Sequence, residues 1–150
     1  MPPLPSLDGL QLIWDELCGG NALPPHSAFG PEILKPWLSH LAIVEVHQGP
    51  RRFYYRLAGS VLEDRFGIDF TGRWLEDLRI PGSPGYWEQH YAAVAQTRRP
   101  QQGSVAHFDP RFNQKVCNWL MLPLLPDLKP RGGPGPLDLV ILVAVAFAKA

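Results

Sequence analysis

The segment Asp138 to Phe147 carries no polar residue after its first position, and its side chains differ in size by parity. Alternation along a strand sends Leu139, Ile141, Val143, Val145 and Phe147 to one side and the small Ala144, Ala146 and Ala148 to the other. A strand that is apolar on both sides must have both faces of its sheet covered, and small residues on one side let a helix or a partner approach closely. The first helix or a second subunit is the expected cover. The run Leu137 to Ala148 is too short to span a bilayer, which takes about 20 residues, so no membrane segment is expected there.

The rest of the composition agrees with a layered, self-supporting fold. A chain of 150 residues with 45% hydrophobic and 19% charged residues can bury a core without metal or disulfide staples. Its 14 glycines and 17 prolines predict many short elements with firm stops. Lys and Arg balance Asp and Glu at 14 each, which leaves no electrostatic footprint for nucleic acid or an anionic membrane. Cys18 and Cys117 have neither CxxC spacing nor zinc-type histidines, which fits reduced thiols and a cytoplasmic location. The start Met1-Pro2-Pro3-Leu4-Pro5 lacks a signal-peptide pattern, so export is not expected.

Along the chain, Ser6 or Asp8 can cap a helix whose apolar positions Leu7, Leu10, Ile13, Trp14 and Leu17 recur at helical spacing, with Gly19-Gly20 ending it. Prolines at 31 and 36 suit the first turns of two very short helices. Leu41 to His47 and Arg51 to Leu57 read as a hairpin across Gln48-Gly49-Pro50. Short helices are expected over Ser60 to Phe66, stopped by Gly67, and over Arg73 to Leu78. A longer helix should begin at Ser83-Pro84 and run to about Arg98, with Trp87, His90, Tyr91 and Val94 on one face. Strands over Gln101 to Phe108 and Lys115 to Leu124 follow, and Pro126 to Pro136 reads as a mobile surface excursion before the last strand.

Residues Phe53 to Leu78 add motifs to this order: Tyr55-Arg56-Leu57-Ala58-Gly59-Ser60, Gly67-Ile68-Asp69-Phe70-Thr71-Gly72 and Leu75-Glu76-Asp77-Leu78. These resemble the PAS-like family common in alphaproteobacteria, which shows Tyr-Arg-Leu-x-Gly-Ser/Thr, Gly-x-Asp-x-Thr-Gly and a Leu-x-Asp/Glu-Leu helix. The resemblance implies an α+β fold, a five-stranded antiparallel sheet with helices over one face and an N-terminal helix. Residues 1–29 are then a helix and linker, and 30–150 the PAS-like domain. It also implies a sensory or interaction module in signal transduction, sometimes dimeric. No kinase, cyclase or DNA-binding output follows Ala150, so the expected role is a stand-alone module with an unknown signalling partner. No Asn-Cys-Arg-Phe-Leu motif is present, which disfavours flavin photochemistry.

Tyr55, Arg56, Trp87, His90, Tyr91 and Trp119 are the candidate ligand-binding residues. Haem-binding members of the family place a proximal histidine on the helix before the third strand, which makes His90 the one haem-ligand candidate. The competing reading is a half-buried histidine bonded to a neighbour. Phe53, Tyr55 and Leu57 should share one side of their strand, with Tyr54 and Arg56 on the other. Arg56 can hold a ligand carboxylate or pair with Glu63, Asp64 or Asp69. Trp119 and Met121 can equally fill the core. No catalytic or metal site is expected, and no cofactor is named by the residues.

Three functions compete. A sensory or interaction domain needs an enclosed or filled interior. A small α+β enzyme of isomerase or dehydratase type needs His90, His107 or Asp109 poised as a base in a cavity. A dimerisation adaptor needs a filled core and an interface made by the first helix and the outer sheet face.

Overall fold

The computed structural model describes residues 4–20, 22–80, 85–133 and 136–149. Helix α1 spans Leu7–Cys18; the Ser6 hydroxyl accepts from the Gly9 N–H at its start, and Gly19 at φ 53° ends it in the left-handed conformation. Helix α2 (Pro31–Leu34) and a 3₁₀ segment (Lys35–His40) form the two short proline-led turns. Strands β1 (Leu41–His47) and β2 (Arg52–Ala58) make the expected hairpin. Helix α3 covers Ser60–Phe66 and α4 covers Tyr86–Thr97; the Ser83-Pro84 start expected for α4 lies outside the described residues. Strands β4 (Gln101–Asp109), β5 (Gln114–Leu124) and β6 (Leu137–Ala148) complete the sheet.

The fold is α+β with an antiparallel sheet, but the sheet has six strands in the order β3-β2-β1-β6-β5-β4 rather than the five expected. The extra strand, β3, is Arg73–Trp74 at the edge, paired to Tyr54 and Tyr55. A helical turn was expected from Arg73 to Leu78; instead those two residues extend along β2, and only Leu75–Asp77 coil into a 3₁₀ turn. A two-residue strand gives no periodicity to read.

Two hydrophobic layers lie on the two faces. The inner face of the sheet, with Val44, Val46, Tyr55, Ile141 and Val143, packs under α3 and α4 through Leu62, Phe66, Tyr91 and Val94. The outer face, with Ile43, Leu120, Leu122, Val140, Leu142 and Ala144, is covered by Leu10 and Trp14 of α1 and by Leu34 and Trp37. The small-residue side of β6 is therefore covered by the chain's own first helix. Two indole N–H groups fix that cover: Trp14 donates to the Pro123 carbonyl at 2.8 Å and Trp37 to the Ser6 carbonyl at 3.2 Å.

One irregularity changes the expected faces of β2. Ile43 opposes Leu57 and Val44 opposes Tyr55, so Arg56 is an extra residue in β2. Such a bulge shifts parity by one. Leu57 accordingly packs with the outer layer instead of joining Phe53 and Tyr55 inside. Gly59 follows where β2 leaves the sheet; its N–H donates to the Leu41 carbonyl at 2.7 Å, and a Cβ there would collide with the Ser39 carbonyl. Close backbone approach, rather than a helix stop, explains that glycine.

Candidate functional site

Among the described residues the inner face holds a small, half-open cavity. Burial of Tyr55 on β2 and Tyr91 on α4 brings their hydroxyls to 2.8 Å, the buried polar pair of an otherwise aromatic wall. With Leu62, Phe66, Phe70 and Trp87 they line a cavity of about 20 Å³. That is room for about one water. Burial pushes the Tyr55 phenol well above its ordinary value, and it raises Tyr91 as well, so both stay neutral at physiological pH.

Trp119 and His90 stand beside this cavity rather than in it. The Trp119 indole N–H donates to the Tyr86 hydroxyl at 2.8 Å, and the ring lies against Gly103 of β4, where a Cβ would sit 2.5 Å from Cζ2. The His90 imidazole lies near Tyr86 and Trp119, with centroids 4.5 and 4.6 Å away and ring planes tilted by 57° and 55°, and burial lowers its pKa. A haem macrocycle is many times larger than the cavity, and the His90 ring is flanked by aromatics. These residues do not fit haem.

Arg56 is separated from the other five candidates by the thickness of the sheet. It lies on the outer face and donates through Nη1 to Glu45 Oε2 at 3.0 Å and to the Lys129 carbonyl at 2.6 Å. Glu63, Asp64 and Asp69, the partners expected for it, follow β2 on the α3 side, and Asp64 is taken by Arg111. Glu45 is fully buried on β1. Its Oε1 pairs with His47 Nε2 at 2.9 Å and accepts the Gly132 N–H at 3.0 Å, while Oε2 also accepts the Arg131 N–H at 2.8 Å. Burial works against the charge. The Arg131 N–H, His47, the Gly132 N–H and Arg56 outweigh it and hold the carboxyl below its usual value.

This cluster revises the loop after β5. The described part of the expected mobile excursion is fastened at both ends: Asp127 accepts from the Ser27 N–H at 2.9 Å, and residues 129, 131 and 132 bond Arg56 and Glu45. Gly132 fits because it has no side chain. A Cβ there would lie 2.6 Å from His47 Nε2 and 2.9 Å from Tyr54 Cγ. Glu45 and His47 were missed as a site by sequence reasoning. The available signal was a carboxylate within the otherwise apolar Leu-Ala-Ile-Val-Glu-Val.

Of the remaining chemical candidates, Asp109 is paired and Cys117 is buried in the sheet, while His107 Nε2 is buried without a hydrogen-bond partner among the described residues. Asp109 accepts from Arg111 Nε at 3.0 Å and Nη2 at 2.8 Å; Arg111 holds its carboxyl below the usual range. His107 packs between Phe66 and Phe147, with centroids at 4.8 and 5.0 Å. Cys117 is opposite Val105, and burial pushes its thiol up to about 12, away from a reactive thiolate. Among the described residues no group of three or more His, Cys, Asp or Glu is gathered as a metal site, and no helix is long and apolar enough to cross a membrane.

The comparisons with known proteins agree with this geometry. A family model described as PAS domain matches residues 4–131, from just before α1 into the loop after β5, whose residues 127–132 form a strap over Glu45. No curated protein matches the chain. With that match over most of the sequence, and an antiparallel sheet whose inner face lies under α3 and α4, the chain belongs to the PAS domain family of sensory and interaction modules.

Proposed function

We propose that the protein acts as a PAS interaction module in bacterial signalling, with an interior filled by its own side chains. The observation that carries this reading is the inner cavity of about 20 Å³ between the sheet and the helices. A partner would then be recognised on the surface, not through an enclosed ligand. Native mass spectrometry of the full chain tests it. The expected mass is that of the polypeptide alone or of its multimers; a copurifying organic molecule overturns the filled-core reading.

Ligand sensing is the second reading, and one observation favours it. A half-open cleft of about 300 Å³ shares Ile80 and Trp87 with the inner cavity, so the two spaces are separated by those side chains. In that case Tyr55, Trp87 and Tyr91 would meet the ligand, backed by His90 and Trp119, and Arg56 would take no part. The enzyme alternative has less support because the polar groups facing the cavity are neutral phenols rather than a poised acid or base.

A homodimer through α1 would use that helix's outward side, where Leu12 is exposed, because Leu10 and Trp14 are already covered. The same mass measurement counts subunits.

A further inference from the structure

Among the described residues, one edge of the sheet is both long and unpaired. Strand β4 (Gln101–Asp109) is bonded to β5 on one side, and no described strand pairs with its other side. The opposite edge is short and partly bonded. There β3 is two residues long, the Gly72 N–H donates to the Tyr55 carbonyl at 2.8 Å, and the Thr71 hydroxyl accepts from the Ala58 N–H at 3.0 Å. An unpaired strand presents a row of N–H and C=O groups that templates a further strand.

Sheets commonly blunt such an edge with charge, proline or a bulge. The irregularity of β4 lies between Ala106 and Asp109, and before it Gln101 to Ala106 match Met121 to Val116 in unbroken register. No Lys, Arg, Asp or Glu occurs from Pro100 to Phe108. Gln102, Ser104 and Ala106 are exposed along the strand, and Phe108 near its end is 66% exposed. Six regular residues therefore lie open with no charge to repel another strand.

We propose that β4 pairs antiparallel with β4 of a second copy of this chain, so that one sheet runs through both. A second copy fits for two reasons. With a single long open edge, self-pairing uses the same surface on each chain and closes on a two-fold axis, so it stops at a dimer. The strand also suits itself in register. An antiparallel two-fold sets one residue opposite its own copy. With Ser104 in that place, Gln102 lies across from the partner's Ala106 and Gly103 across from the partner's Val105. The Trp119 ring lies against Gly103, where a Cβ would sit 2.5 Å from Cζ2, so the incoming valine meets an aromatic ring instead of a gap. With Gly103 on the axis, two residues without side chains would face each other. The pairing does not depend on whether the inner cavity is filled, and it uses the sheet edge instead of α1.

Analytical ultracentrifugation of the full chain at about 100 μM, where contacts of micromolar affinity are occupied, should show a dimer. Ser104→Lys sets two like charges across the axis, as does Ser104→Glu, and each should weaken association by about tenfold or more. Equal amounts of the two variants should restore a dimer, and native mass spectrometry should find one chain of each kind in it. A monomeric wild type overturns the proposal and leaves the edge to a strand of another protein. A Ser104→Lys chain as dimeric as the wild type overturns it too and places the contact elsewhere, as on α1. Assemblies beyond the dimer, or a mixture of folded variants that stays monomeric, contradict the two-fold pairing. If the variants do not fold, hydrogen exchange of the wild type decides: amides over residues 101–106 should exchange more slowly as the protein is concentrated, and rates independent of concentration overturn the assignment.

Discussion

Val44 and Glu45 are neighbours on β1 and face opposite ways, and the two faces they enter are stabilised by different physics. Inside, Val44 joins a wall of aliphatic and aromatic side chains in which the Tyr55 and Tyr91 hydroxyls satisfy each other. Outside, Glu45 is a buried charge with both oxygens bonded, by Arg56, His47 and two backbone N–H groups of the strap. Packing on the inner face degrades by degrees as contacts are lost. The outer cluster works only when complete, because a missing partner leaves the others desolvated and unpaired.

The contrast is most exposed to Glu45→Ala. Removing the carboxylate strands Arg56 and two N–H groups, and the expected loss is about 3–5 kcal/mol by urea denaturation at neutral pH. A loss below about 1 kcal/mol would place the cluster with ordinary solvated ion pairs. Acid should narrow the gap between wild type and variant. The folded carboxyl titrates below its unfolded value of about 4.3, so its contribution is complete above that value and disappears as pH falls through the lowered one.

Gly132→Ala tests whether the strap depends on close approach. The added methyl would overlap His47 Nε2 and Tyr54 Cγ, and the expected cost is about 2 kcal/mol. Hydrogen exchange should quicken over residues 127–133 while the inner strands keep their protection. Uniform loosening of the sheet would mean that the strap is not a separate element.

The smallest effect belongs to the inner pair. Tyr91→Phe and Tyr55→Phe should each cost about 1 kcal/mol, and the double variant should cost less than the two added together, since each single change orphans the other hydroxyl. Strict additivity in thermal or urea melts would show that each phenol has another partner.

Much of the framework was legible in the sequence because it follows from local rules. Ser6 and Gly19 bracket α1, α3 falls between Gly59 and Gly67, and the parity of β6 announced a sheet covered on both sides. The misses share a cause: each depends on a contact between distant residues. Arg56 meets Glu45 only through the bulge, and the strap is fastened by Glu45 from 86 and 87 positions earlier in the chain. Leu57 changed sides for the same reason, since a hydrophobic pattern carries no mark of one inserted residue. Spacing on α4 put Trp87, His90, Tyr91 and Val94 on one face, and of the ligand candidates among them Trp87 and Tyr91 line the inner cavity while His90 does not. Nothing in the pattern of β2 could reveal that Arg56 was already engaged.

The position of β6 carries a consequence for how the chain assembles as it is made. Its neighbours in the sheet are β1 and β5, so the β3-β2-β1 half and the β5-β4 half meet only across it. Leu41 waits for Ala144 and Leu120 for the same residue. Until β6 leaves the ribosome, two half-sheets expose apolar edges that lack their partner strand, a state open to aggregation and costly in loop closure. Removing residues 137–150 should therefore leave two half-sheets that share no strand and are tied through the loop after β5, rather than a trimmed domain.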